Sequence, residues 1–238
     1  MITVTHAMIL AAGFGTRMRP LTLTTPKPLI KVAGKALIDY GVDKLREAKV
    51  PNVVVNGHYL ADQIEAWSKT LVTPATVFSS ERDAILDTGG GIARALPLLG
   101  ERPFFVLNAD CFWLDSADPA LHQLRKAWND DAMDCLLLLC DPRQTTGYEG
   151  KGDFVLSSDG RIVRRRDQPD QPALAYIGGY LVHPRLFRGA PSGAFSMNEL
   201  WDRAIAQRRL FGLAHQGHWL HVGTVDAIAE AEAELRRR

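Results

Sequence analysis

The apolar positions of this chain fall into two patterns, and the switches between them outline an α/β protein. Ala7 to Ala11 is apolar with no polar face, as expected of a strand buried on both sides. Leu37, Gly41, Leu45 and Ala48 then recur on one helical face, which predicts a helix over 36–48. Asn52–Asn56 carries the β-branched run Val53-Val54-Val55 and reads as a second strand. Leu60, Ile64, Trp67 and Leu71 mark an amphipathic helix, and Ala75–Phe78 a further short strand. The order β-loop-α-β-α-β favours a parallel sheet with right-handed crossovers.

The second half keeps the same grammar. Thr88-Gly89-Gly90-Gly91 precedes a short helix ending near Pro97, and the glycines offer either a hinge or bare backbone for a flat ligand. Phe104–Leu107 and Met133–Cys140 are continuously apolar strands, and Tyr176–Tyr180 opens another. Asp118-Pro119 places a cap and a first-turn proline ahead of Leu121, Leu124 and Trp128. Asp153–Leu156 and Arg161–Val163 flank a Ser158-Asp159-Gly160 hairpin turn, and Arg164-Arg165-Arg166 reads as a solvated run beyond it. Ser196 and Glu199 have capping-box spacing before a helix over 200–208. Thr224 caps the last helix, with Ile228, Ala231 and Leu235 facing inward.

Composition narrows the class without identifying it. A chain of 238 residues makes one large domain, which buries roughly three quarters of its unfolded surface. Its 46% hydrophobic and 23% charged residues are ordinary for a globular protein. A net charge of +1 gives no whole-molecule attraction to nucleic acid or membrane, so any basic function is local. Cys111, Cys135 and Cys140 lack a C-x-x-C spacing and read as buried reduced thiols. With no secretory pattern and no apolar run of membrane length, the expected setting is the cytoplasm, as a monomer or small homo-oligomer.

Chemistry concentrates where the first strand breaks. Gly13 and Gly15 allow close backbone approach, so their N–H groups can converge on an anion, and Arg17, Arg19, Lys27 and Lys31 follow. This is a phosphate site of neither common kind. Met18 stands where the dinucleotide fingerprint needs its third glycine, and the Gly-Lys-Ser/Thr ending of a P-loop is missing. A nicotinamide-dependent oxidoreductase is thereby excluded. Asp110, emerging from the apolar run Phe104–Leu107, stands at a strand's C-terminal end, the edge at which α/β sheets bind ligands.

Gly13-x-Gly15-Thr16-Arg17, then Pro20-Leu21-Thr22 and Thr25-Pro26-Lys27-Pro28-Leu29, resembles the signature of the sugar-1-phosphate nucleotidyltransferases. The resemblance spans nearly the whole chain and recurs at Asp110 and Trp219–Thr224. It implies a Rossmann-like mixed, mainly parallel sheet flanked by helices, with a small β-rich sugar-binding portion. Residues 1–140 would be mainly nucleotide-binding and 141–238 mainly sugar-binding and closing. The implied substrates are a nucleoside triphosphate and a sugar 1-phosphate.

The resemblance also implies residue roles. Leu10, Ala11, Ala12, Gly13, Gly15, Thr16 and Arg17 would hold the nucleotide together with Thr88, Gly89 and Asn108. Gly152, Asp153 and Gly178 would meet the sugar. Arg17, Lys27 and Asp110 would be catalytic, with Asp110 holding Mg²⁺ (Mn²⁺ as the substitute). His221 stands where the family has a second metal-binding carboxylate, so it either ligates the metal or lines the pocket. Ala109 replaces a usual glycine, and Arg166-Asp167-Gln168-Pro169 replaces a usual Glu-Lys-Pro, leaving open which arginine meets the sugar phosphate. Thr88–Gly91, Gly152-Asp153-Phe154 and His221–Thr224 agree best with the peptidoglycan-recycling uridylyltransferases that join UTP to N-acetylmuramate 1-phosphate. Heptose- or mannose-1-phosphate guanylyltransferases share much of the pattern. A second class of reading is a nucleotide-binding module of the same fold without catalysis.

Overall fold

The long apolar runs of the sequence become strands of one sheet in the computed structural model, which describes all 238 residues. Its strands are β1 (His6–Leu10), β2 (Asn52–Gly57), β3 (Ala75–Ser80), β4 (Phe104–Asn108), β5 (Cys135–Cys140), β6 (Ala175–Val182) and β7 (Leu210–His215). They lie in the order β7-β5-β6-β4-β1-β2-β3. All neighbours are parallel except β6, which runs antiparallel to both β4 and β5.

The inner strands show no polar–apolar alternation because both their faces are covered, whereas the edge strand β3 is half exposed. Ala7, Ile9, Val53, Val55, Phe105 and Leu107 enter one core, against Ile38, Val42 and Leu45 of helix α1 (Leu37–Glu47). Met8, Val54, Phe104 and Val106 point the other way, into a second core. There they meet Ile92, Ala95 and Leu99 of α3 (Asp87–Leu99), and Leu200, Trp201 and Ala204 of α5 (Met197–Ala206). Helices α2 (Ala61–Ser68), α4 (Ala120–Ala127) and α6 (Asp226–Arg237) complete the layers. Both cores draw residues from before and after position 140.

Several strands escape sequence reading. β7 is one, because Gly212 interrupts its apolar run; a Cβ there would lie 2.6 Å from Leu139 Cδ1 and 2.7 Å from Ile162 Cγ2. Another is the short strand Cys111–Leu114, which follows directly on Asp110. It pairs antiparallel with His218–His221, with His221 opposite Cys111, while Thr145–Thr146 adds to the far side of that strand. This small sheet carries the chain's last third back to the end of β4. Phe154–Leu156 and Ile162–Arg164 form the expected hairpin.

Other expectations change in detail. The three glycines lie inside α3, not ahead of it, and that helix runs through Pro97 to Leu99. Pro119 is the N-cap of α4, and the first helical N–H, of Ala120, donates to Asp115 Oδ1 at 2.9 Å, a service expected of Asp118. Ser196 caps α5, but the helix begins at once at Met197 and ends at Ala206. His215 is buried in β7 with Nε2 against the Leu114 carbonyl. All three cysteines are buried and unpaired. No helix is long and apolar enough to cross a membrane.

Gly41 is a helical glycine with room. A Cβ added there meets only Leu107 Cδ1, at 3.6 Å. Gly41→Ala should therefore raise stability by about 0.4–1 kcal/mol, chiefly by restricting the unfolded chain. Chemical denaturation measures it, and a lower midpoint would show that the α1–β4 contact cannot accept the methyl.

Candidate active site

The cleft opens where β1, β2 and β4 end, at Leu10, Asn56 and Asn108. The Ala109 N–H donates to the Leu10 carbonyl at 3.2 Å, so the turns leaving β1 and β4 stay in register beyond the strands. Between them lies a cavity of about 330 Å³. The turn after β1 forms one wall, with Gly15 in the left-handed region at φ 61°. A side chain at Gly15 would meet Lys27 Cβ and Thr22 Cγ2, both at 2.9 Å, so the residue is excluded on space as well as on φ. Thr22, fully buried, donates its hydroxyl to the Gly15 carbonyl at 2.9 Å. Gly13 has nothing near its missing Cβ and leaves the backbone bare to the cleft.

Lys27 begins a single 3₁₀ turn between Pro26 and Pro28 and is only 7% exposed. Its Nζ donates to Asp110 Oδ2 at 2.9 Å across the cleft floor. Burial alone would push the Asp110 carboxyl upward. The Lys27 ammonium and its hydrogen bond, with help from His221 and Arg17, instead hold it below the usual carboxylate range. His221 arrives through the small sheet. Its Nδ1 contacts the Gly147 carbonyl at 3.1 Å, and burial lowers its pKa, leaving the ring neutral near pH 7. Gly223 lines the same cavity; a Cβ there would lie 2.9 Å from His221 Cε1 and 3.3 Å from Arg17 Nη1. Glycine turn, Lys27, Asp110 and the His221–Gly223 segment thus converge.

Leu10, Ala11, Ala12, Gly13, Gly15, Thr16 and Arg17 all line this cavity, as do Lys27, Thr88, Asn108 and Asp110. Arg19 and Lys31 do not, which leaves Arg17 and Lys27 as its cations. Gly89 is also absent from the lining; its missing Cβ makes room for the Phe195 ring, and its N–H donates to the Phe195 carbonyl at 2.9 Å. Those glycines serve helix packing, and Ile85, Asp87 and Thr88 present the surface instead. Asn56, at the end of β2, also reaches the cavity and was hidden behind a valine run.

A second cavity of about 390 Å³ shares Leu10, Asp87, Thr88 and Asn108 with the first. Phe154, Tyr176, Tyr180 and Trp201 wall it, and Tyr180 Oη and Trp201 Nε1 are buried there without a hydrogen-bond partner. Asp153 lines it and accepts from Tyr176 N at 2.9 Å. Arg164 lines it too, stacked 4.7 Å from the centre of the Phe154 ring, with Nε donating to Asp202 at 2.6 Å. The first arginine of the run is therefore a wall of the cleft, in contrast to its solvated reading. Gly152 and Gly178 line neither cavity. Gly152, at φ 90°, would press a Cβ to 2.6 Å from the Ala173 carbonyl, while Gly178, at φ 84°, lets β6 pass Cys111 and Asn108. Both shape the backbone beside the cavity.

No three His, Cys, Asp or Glu side chains group as an all-protein metal cage. Lys27 takes only one Asp110 oxygen, and the second ring nitrogen of His221 makes no hydrogen bond. The Asp110 carboxylate, completed by the oxygens of substrate phosphates, fits Mg²⁺ or Mn²⁺; the His221 imidazole suits Mn²⁺ better than Mg²⁺.

Comparison with known proteins identifies the family. The family model "Nucleotidyl transferase" matches residues 6–238. N-acetylmuramate alpha-1-phosphate uridylyltransferase of Caulobacter vibrioides is 45% identical over 233 residues, covering 96% of each chain. The protein of that name from Neisseria meningitidis is 37% identical over 230 residues, covering 95% of this chain and 96% of its own. Among solved structures, a UDP-glucose pyrophosphorylase complexed with UDP-glucose superposes with a TM-score of 0.80. It covers 99% of this chain and 100% of its own at 21% identity, a likeness of fold. The inositol-1-phosphate CTP transferase from T. maritima follows at 0.75 and 17% identity, covering 96% of each chain. The chain belongs to the nucleotidyl transferase family.

Proposed function

We propose that this enzyme transfers the uridylyl group of UTP to N-acetylmuramate 1-phosphate and releases pyrophosphate. The observation that carries the reading is the Lys27–Asp110 pair, set between a glycine turn and a second, aromatic-walled cavity. The two named uridylyltransferases, similar over nearly their whole length, support the choice of base and sugar. Three unpaired buried thiols suit a reducing cytoplasm.

The nucleophile is a phosphate oxygen that already carries charge, so the reaction needs no general base. What the site supplies is alignment and relief of repulsion between two anions. The Gly13 and Gly15 backbone with Arg17 takes the β- and γ-phosphates, which leave together. Lys27 bridges the α-phosphate and the incoming sugar phosphate, where negative charge accumulates. Asp110, with His221 near it, would hold the divalent cation, which would supply charge neutralisation to the phosphate oxygens when bound. In the second cavity the Asp153 carboxylate and the Arg164 guanidinium stand among the aromatic faces of Phe154, Tyr176, Tyr180 and Trp201, a surface suited to a sugar ring.

Lys27→Ala should slow pyrophosphate release, assayed with UTP, Mg²⁺ and N-acetylmuramate 1-phosphate, by about a hundredfold or more while leaving the fold intact. Unchanged turnover would remove the lysine from the mechanism. In the same variant an NMR titration should find the Asp110 carboxyl at a higher pKa than in the wild type. The sign follows from linkage. A carboxyl held low in the native state stabilises it above the ordinary carboxylate pKa, and that contribution fades as pH falls through the lowered value. The stability gap between wild type and Lys27→Ala should therefore narrow in acid, and a widening gap would contradict the assignment. Thermal shift with the four nucleoside triphosphates at equal concentration should give its largest stabilisation with UTP; a larger shift with GTP would reassign the base.

A further inference from the structure

Glu81 is a carboxylate that the mechanism does not use, and it is completely buried. No lysine, arginine or histidine side chain pairs with it, although buried carboxylates are ordinarily matched to a cation. Its partners are amide N–H groups. Oε1 accepts from Asn56 Nδ2 at 2.6 Å, and Oε2 accepts from the Leu86 backbone N–H at 3.2 Å. Asn56 is itself 2% exposed and uses Oδ1 to accept from the Ala11 N–H at 2.7 Å. Gly91 in α3 makes the space, since a Cβ there would lie 2.6 Å from Glu81 Oε1 and 2.9 Å from Asn56 Nδ2.

This chain of bonds spans the cleft. At one end Ala11 opens the glycine turn; at the other, Leu86 leads into Asp87 and Thr88, which line both cavities. Asn56 alone would not fix the turn, because its amide can be rotated to present either a donor or an acceptor to Ala11. A carboxylate only accepts. It therefore compels Asn56 to turn Nδ2 toward position 81 and Oδ1 toward the Ala11 N–H. Building on the nucleotidyl-transfer reading, we infer that Glu81 is a positioning residue for the nucleoside triphosphate: it sets the Asn56 amide and so the pitch of the phosphate-binding turn relative to the Ile85–Thr88 wall.

The test follows from donor and acceptor count. In Glu81→Gln the new amide has two orientations. One aims its NH₂ at the Leu86 N–H, and the other forces Asn56 to aim NH₂ at the Ala11 N–H. Either sets two buried donors face to face. The double variant Glu81→Gln/Asn56→Asp restores every bond, because the carboxylate then stands at position 56 and the donor at 81.

Calorimetric titration with UTP and Mg²⁺ should show the Kd of Glu81→Gln raised about tenfold or more. The KM for sugar 1-phosphate at saturating UTP should stay unchanged, and the double variant should return the Kd to near wild type. A role in stability alone would lower the melting temperature and leave the UTP Kd of the folded protein where it was. An unchanged Kd in folded Glu81→Gln, or a double variant that binds no better than the single, overturns the inference. If Glu81→Gln fails to fold, the double variant decides: folded and binding UTP like the wild type supports the inference, and unfolded or non-binding overturns it. A wild-type chain that binds no UTP defeats the proposed function, and this inference with it.

Discussion

One ion pair constrains the rest of the structure. Lys27 and Asp110, 83 positions apart in the chain, meet at 2.9 Å with the lysine almost wholly removed from water. A buried ammonium is tolerated only where an anion and hydrogen bonds compensate it, and removing either partner strands the other charge. The turn carrying Lys27 must therefore close onto the end of β4. The lysine's stem packs so close to the glycine turn that its Cβ would lie 2.9 Å from a Cβ at Gly15. The pair keeps two groups of opposite sign poised at the point where two phosphate-bearing substrates would meet.

The architecture delivers partners to that point from three directions. Parallel β1 and β4 end side by side and set the glycine turn against Asp110. The strand Cys111–Leu114 leaves Asp110 immediately and recruits His218–His221, which brings Gly223 back to the cleft lining from the far end of the sequence, with His221 just behind it. α3 packs its glycines against Phe195 and the Gly193 carbonyl, which fixes the Ile85–Thr88 wall beside the start of α5. The second cavity forms at that junction, continuous with the first.

Much of this was legible in the sequence, for identifiable reasons. Strands buried on both faces announce themselves as unbroken apolar runs, so β1, β2, β4 and β5 were plain. Gly13, Gly15, Arg17, Lys27 and Asp110 were legible because few other roles require those residue types at those places. What escaped depends on contacts between distant segments. Gly89 looked like a ligand surface, yet its space is taken by Phe195, more than a hundred residues away. Arg164 looked solvated because its neighbours are arginines, but Phe154, Trp201 and Asp202 enclose it. Asn56 and Glu81 gave no signal, since their meaning lies in a bond between two strand ends.

The central claim, that phosphoryl chemistry takes place between Lys27 and Asp110, is tested most directly by a crystal structure with Mg²⁺ and a non-hydrolysable UTP analogue. The account predicts the α-phosphate within hydrogen-bond reach of Lys27 Nζ, the cation on Asp110, and the phosphate tail against Gly13–Arg17. A nucleotide whose α-phosphate lies away from an undisturbed Lys27–Asp110 pair would contradict it.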